Sequence, residues 1–170
     1  FAALLSEGLY APFTWRVRHF QPGDAAESVY YFRPDGALFG FATSLPEDEQ
    51  AANLTAEAAL ELATTTAAAA PWHIDLGAWR LVEQHKEAKP RRADHTFTFE
   101  RAERVGESAG EEASYRLALR VSGAQLAALR KSFKVPESFT RRFDGMRSAN
   151  EALAQVAWIG IVVLYGIIGV

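Results

Sequence analysis

The chain has 170 residues, 18 Lys and Arg against 21 Asp and Glu, and a formal net charge of -3. That balance lacks the basic footprint nucleic-acid binding requires, so nucleic acid is not expected as a partner. There is no cysteine, which removes disulfides, thiolate nucleophiles and cysteine-ligated zinc.

Phe13 to Phe20 (FTWRVRHF) alternates large apolar with basic residues, the period-two pattern of a half-buried strand. Val29 to Phe32 and Ala37 to Thr43 flank Pro34-Asp35-Gly36, and Asp-Gly between apolar runs signals a hairpin. Three antiparallel strands therefore open the chain. Pro46 and the acidic run Glu47 to Glu49 break the pattern, and Asn53 or Thr55 can cap a helix over about Ala56 to Ala70, ended by Pro71. Trp79 to Glu87 and His95 to Arg101 read as strands joined by the turn-forming KPRRAD of Lys89 to Asp94. Glu103 to Glu112 is polar and reads as a loop. Tyr115 to Val121 pairs through Ser122-Gly123 with Gln125 to Val135.

From Pro136 the pattern turns helical, with Phe139, Phe143 and Met146 three or four apart. Ala152 to Val170 carries no charge and one strongly polar side chain, Gln155. As a helix it would be about 28 Å long, close to the thickness of a bilayer's hydrocarbon core. One nearly continuous helix from Pro136 to Val170, rigidly coupling sheet to membrane, is expected. The sequence stops inside this apolar run and begins without methionine, so both ends are expected to be cut from a longer protein.

Tyr30 to Glu47 and Leu117 to Glu137 resemble each other: Arg33 matches Arg120, Gly36 matches Gly123, and Pro46-Glu47 matches Pro136-Glu137 after a three-residue insertion. The match reads either as a duplicated unit or as two hairpins converging on similar turn chemistry, and the expected fold class is α+β, with duplicated hairpin-and-helix units forming antiparallel sheet. The expected boundaries are a soluble α+β domain over 1–135, a juxtamembrane helix over 136–151 and a membrane helix over 152–170.

Chemistry is sparse. Glu111, Glu112 and Arg116 spell EExxxR, a string that in some membrane proteases supplies catalytic carboxylates. Such carboxylates need desolvation and partner histidines on an apolar helix. Here the string lies between a polar loop and a strand, where the two carboxylates would diverge. His19, His73, His85 and His95 lack i, i+4 spacing, and no HExxH occurs. His85 and His95, on consecutive strands, could still meet, either as a metal-holding pair or as a cross-strand polar pair. Tyr30 and Phe32 share one strand face and Tyr31 the other. With Trp15, Phe20, Phe39, Phe41, Phe97 and Phe99, and with Arg16, Arg18 and Arg33 nearby, these rings serve either a core or a peptide-binding sheet surface.

The strings WRVRHF, LPEDE (Leu45 to Glu49), RADHTFTFER (Arg92 to Arg101) and KVPESF (Lys134 to Phe139) resemble the membrane-proximal, non-catalytic N-terminal region of bacterial CPBP-family (CAAX protease and bacteriocin-processing) intramembrane metalloproteases, over roughly Phe13 to Ala157. The repeated hairpin-helix unit is also similar to PepSY-type domains. The resemblance implies a parent protease that cleaves in or near the bilayer, with a divalent metal such as zinc held by glutamates and histidines of later membrane helices. Because Glu111, Glu112 and Arg116 fall in the soluble part, no catalytic role carries over to them. No catalytic, cofactor-binding or metal-ligating residue is expected on this chain.

The implied function is that of an accessory domain regulating the protease or recruiting its substrate. A membrane-anchored sensor or peptide-binding module is the alternative. Expected partners are the bilayer, the remaining membrane helices and a peptide or membrane-protein substrate. Arg130 to Glu151 holds six basic residues against three acids, which favours the cytoplasm. PepSY-like modules lie outside it, and the resemblance places the soluble domain on the outer side of a bacterial cell membrane.

Overall fold

The alternating segments form seven strands: β1 (Trp15–Phe20), β2 (Glu27–Phe32), β3 (Leu38–Ser44), β4 (Arg80–Lys89), β5 (Arg92–Ala102), β6 (Ser114–Ser122) and β7 (Gln125–Lys134). Helix α1 (Ala56–Ala68) separates β3 from β4, and α2 (Glu137–Ile168) follows β7. The structure is a computed structural model and describes residues 11–102, 114–134 and 137–168. It is α+β, as the sequence predicts, with one continuous sheet in the order β1-β2-β3-β7-β6-β5-β4. Every pairing is antiparallel, and the two meanders meet where β3 pairs β7 through Phe41↔Leu129 and Ala42↔Ala128.

One row of side chains crosses all seven strands. Val17 lies opposite Tyr30, Tyr30 opposite Phe41, Phe41 opposite Leu129, Leu129 opposite Leu119, Leu119 opposite Phe97, and Phe97 opposite Gln84. Residues paired across antiparallel strands share a face, so the row marks one side of the sheet. Its middle is core: Leu129, Leu119 and Phe97 are fully buried with Phe99, Leu117 and Val121. Each such side chain contributes about 1.5–3 kcal/mol on burial.

Helix α1 covers that middle. Thr55 caps it, its hydroxyl accepting from the Ala58 N–H at 3.3 Å, which satisfies one of the orphan donors of the first turn. Ala59, Ala63 and Ala67 recur every four residues and are wholly buried against β5, β6 and β7. A stripe without bulk lets the helix axis approach the sheet closely, and Leu60, Leu62, Trp72 and Ile74 fill the flanks. The helix stops short of Pro71, and Trp79 follows a 3-10 turn at Leu76–Ala78.

The hairpin-then-helix order occurs twice in the chain, yet the residue match shifts. β2 and β3 are closed by the Arg33 N–H to the Ala37 carbonyl at 2.8 Å around a three-residue loop. β6 and β7 are closed by Ser122↔Gln125 around Gly123 and Ala124 alone. Each hairpin carries a register irregularity near its turn, at Tyr31/Phe32 and at Arg120/Val121. Aligning those irregularities sets Ser122, not Arg120, against Arg33, because the second turn is one residue shorter. The two arginines also differ in use: Arg33 pairs Asp35, while Arg120 donates to the Thr43 carbonyl at 2.6 Å.

The KPRRAD segment departs from its expected role as a long turn. Only Pro90 and Arg91 turn, and β4 and β5 run to Lys89 and Arg92 on either side. In α2 the residues from Glu137 to Ile168 are continuously helical, while Pro136, Gly169 and Val170 lie outside the described residues. Thr140–Gly166 is long and apolar enough to cross a membrane, and its charged residues all precede Ala152. The sheet with α1 forms one compact unit, and α2 belongs to a second.

Gly40 sits beside the junction of the meanders, where a Cβ would stand 2.7 Å from the Leu129 carbonyl oxygen. Gly40→Ala must push β3 from β7 and is expected to cost about 1–3 kcal/mol. Gly145→Ala, with open space around it, serves as the control and should not destabilise the sheet. Urea unfolding of the full chain in micelles, followed by tryptophan fluorescence, distinguishes these outcomes, and equal stability of both variants would contradict the close approach.

Candidate functional site

The residues singled out for chemistry disperse. Glu111 and Glu112 lie outside the described residues. Arg116 stands on β6 and joins a three-strand ion ladder, 3.0 Å from Glu83 Oε1 and 3.2 Å from Glu100 Oε2. His85 and His95 do not pair, as either reading of them required. The two-residue turn at Pro90-Arg91 sets the register so that His85 faces Thr96 and Lys86 faces His95. The histidines consequently occupy opposite faces, His85 exposed and His95 fully buried. His95 Nε2 lies 3.0 Å from the Leu54 carbonyl, an acceptor, so in the neutral ring this nitrogen carries the hydrogen. His19 lies on β1, and His73 takes φ 48° in the turn after α1. Among the described residues no three His, Asp or Glu side chains come together as metal ligands.

Two of the strings that carry the family resemblance meet in a clasp. Arg92 and Asp94, 5% and 7% exposed, pair at 3.0 Å. The guanidinium also donates to the Pro46 carbonyl at 2.5 Å and to that of Glu49 at 3.3 Å. LPEDE and RADHTF thus fasten the segment between β3 and α1 to the sheet. Lys89 adds Glu47 at 3.2 Å and Glu87 at 2.6 Å. These bonds lower the Glu87 pKa and raise that of Lys89. The same segment crosses Gly123, where a Cβ would lie 2.5 Å from the Ala51 Cβ. These groups are consumed by architecture.

The unconsumed feature is the β1 edge. All six of its residues are exposed, and with Phe13 it presents Trp15 at 66%, Val17 at 49% and Phe20 at 55% exposure. Trp15 and Val17 extend the α1-bearing face outward, next to Tyr30 and Phe32. From there a ring row leads inward, Tyr30 against Phe41 at 6.4 Å and Phe41 against Trp72 at 5.3 Å, both stacked. Helix α1 packs on β5, β6 and β7, which leaves the face of β1 and β2 as an aromatic shelf. Arg16 and Arg18 point to the other side; Arg18 pairs Glu27 and stands over the Phe20 ring. Arg16 has no hydrogen bond or ion pair among the described residues.

An edge strand offers unpaired backbone donors and acceptors along one side, and proteins usually blunt such edges with proline, lysine or a bulge. β1 has no proline, lysine or bulge, and its charged side chains, Arg16 and Arg18, stand on one face. Pairing with a second copy in a register centred on the strand would oppose Arg16 or Arg18 to the same residues of the other chain, which is unfavourable. The chemistry fits an extended peptide whose acidic residues face the arginines and whose apolar residues cover Trp15 and Val17. The sequence reading named Trp15, Arg16 and Arg18 but not the edge position, since strand order is set by the distant β3–β7 pairing. Comparison with protein families, with curated proteins and with solved structures found no match.

Removing one partner of a buried ion pair leaves a charge without compensation, so Asp94→Asn is expected to cost about 3 kcal/mol. Arg116→Gln acts on a partly exposed ladder and should cost under about 1 kcal/mol. Urea midpoints of the two variants check this order, and equal losses would contradict a structural clasp at Arg92.

Proposed function

We propose that this chain is a membrane-anchored accessory module that captures an extended peptide segment along β1. The observation that carries the reading is the fully exposed edge strand, with Trp15 and Val17 on one face and Arg16 and Arg18 beside Phe20 on the other. A helix long and apolar enough to cross a bilayer supplies the anchor. On this reading a captured segment becomes an eighth strand: backbone hydrogen bonds give affinity, and alternating side chains give selectivity.

The family-level part of the proposal rests on the resemblance of LPEDE, RADHTFTFER and KVPESF to the non-catalytic region of CPBP-family intramembrane metalloproteases. In that setting the module presents a substrate segment to the enzyme or regulates access to it, at the outer side of a bacterial cell membrane. Hydrolysis and its metal belong to other membrane helices of the parent protein. The described residues have a binding surface to offer rather than catalytic groups.

A soluble peptide alternating glutamate with valine tests the edge. Fluorescence anisotropy on the full chain in nanodiscs should show binding that weakens with salt. Arg16→Glu should reduce affinity about tenfold, the size of one lost charge pair turned repulsive. His85→Ala, on the opposite edge strand, should leave it unchanged. Equal binding to wild type and Arg16→Glu would overturn β1 as the docking edge.

A further inference from the structure

The apolar face of the sheet contains one anomaly. Next to the seven-strand row runs a second one, in which Leu81 lies opposite Phe99, Phe99 opposite Leu117, and Leu117 opposite Lys131. Lys131 thus takes a place where the face calls for an apolar side chain, between Leu129 and Phe133 of its own strand. A polar group in an apolar setting is the informative case. Its ammonium lies 5.1 Å from the centre of the Phe39 ring and has no hydrogen bond or ion pair among the described residues. Loss of water around it, and then repulsion from Arg33, hold its pKa below the usual lysine range.

The space beside Lys131 is lined to match. On one side a cavity of about 320 Å³ is walled by Trp72, Trp79, Ile74 and Leu117, with Arg101 at its border. On the other a cavity of about 260 Å³ opens beside Phe39 and Gly40, past the last β3–β7 pair. The acidic side chain on the first wall, Asp75, is engaged, its carboxylate accepting the Gly77 N–H at 2.9 Å. Trp72 is fixed by its stack on Phe41. Trp72, Trp79, Ile74 and Leu117 thus form an apolar wall beside the polar groups of His73, Asp75, Arg101 and Lys131, and apolar walls with a few convergent polar groups are the composition of a small-ligand site.

We infer that the cleft at Lys131 binds a carboxylate carrying an apolar group, with the carboxylate on the ammonium and the apolar group between Trp72 and Trp79. A carboxylate suits the Lys131 ammonium, and the aromatic walls suit a ring or a branched aliphatic chain. Binding returns to the ammonium the compensation it lost with water. Two sources share this chemistry, a free aryl or branched-chain acid and the C-terminus of a peptide ending in an apolar residue. The inference does not depend on peptide capture at β1.

The probes are 3-phenylpropionate, a hexapeptide ending in phenylalanine, and the same hexapeptide with an amidated C-terminus. Each is titrated by tryptophan fluorescence into the full chain in nanodiscs. Lys131→Met keeps an unbranched side chain one atom shorter and removes the charge. It should weaken the carboxylate probes at least tenfold and raise the urea midpoint, because an unpaired half-buried charge is gone from an apolar face. A higher midpoint with lost binding separates a missing site from a damaged fold. Binding of both carboxylates identifies the shared chemistry, binding of the hexapeptide alone identifies a chain terminus, and binding of phenylpropionate alone identifies a free acid. Binding of neither, equal binding of the amidated and free peptides, or unchanged binding to Lys131→Met would each overturn the inference.

Discussion

The seven-strand row from Val17 to Gln84 is the constraint on which the rest of the molecule depends. It requires every pairing to hold its register, since a one-residue slip in any strand would turn that strand's apolar set to the other face. The alanine stripe of α1 then closes the middle of the row. The ends are treated differently. Gln84 finishes the row in a polar, solvated edge on β4, whereas Val17 and Trp15 finish it in an apolar one on β1. Unequal ends give the sheet one apolar edge, on β1, and the proposed peptide capture rests on that asymmetry.

The same logic separates structural charges from available ones. Arg92, with Asp94 on its guanidinium, and Lys89, through Glu47, hold the segment between β3 and α1 against the hairpin end, while Arg120 donates to the Thr43 carbonyl of β3. Arg116 is spent on a ladder across β4, β5 and β6. Arg16, on the exposed edge, and Lys131, in the apolar face, are among the basic residues without an ion pair in the described part of the chain. They stand on opposite faces of the sheet, Arg16 on the face turned away from α1 and Lys131 on the face that α1 covers in part.

Local signals in the sequence carried much of this fold. Period-two alternation located the strands, Asp35-Gly36 and Gly123 located two turns where both glycines adopt positive φ, and Thr55 located the start of α1. What escaped was non-local. KPRRAD reads as a loop because it is charged, but β5 begins at Arg92, whose guanidinium, paired with Asp94, finds carbonyl partners on a segment more than forty residues earlier. The turn is therefore two residues, and its register sets His85 against Thr96 and His95 against Lys86. The edge position of β1 follows from the β3–β7 junction, which leaves no mark in either strand alone. Lys131 was the legible exception: a lysine two residues from Leu129 and two from Phe133 stands on their face by alternation, although the cavities around it come from Trp72 and Trp79 after the helix.

Hydrogen–deuterium exchange on β1 tests the central claim most directly, with the full chain in nanodiscs and the glutamate–valine peptide added in excess. In the free protein the amides of Trp15 to Phe20 that face away from β2 should exchange rapidly, since an edge strand leaves them to water. With peptide bound, those amides should slow at least tenfold while β4 is unchanged. Outward amides of β1 that stay fast with the peptide bound, or protection appearing on β4 instead, would contradict the account.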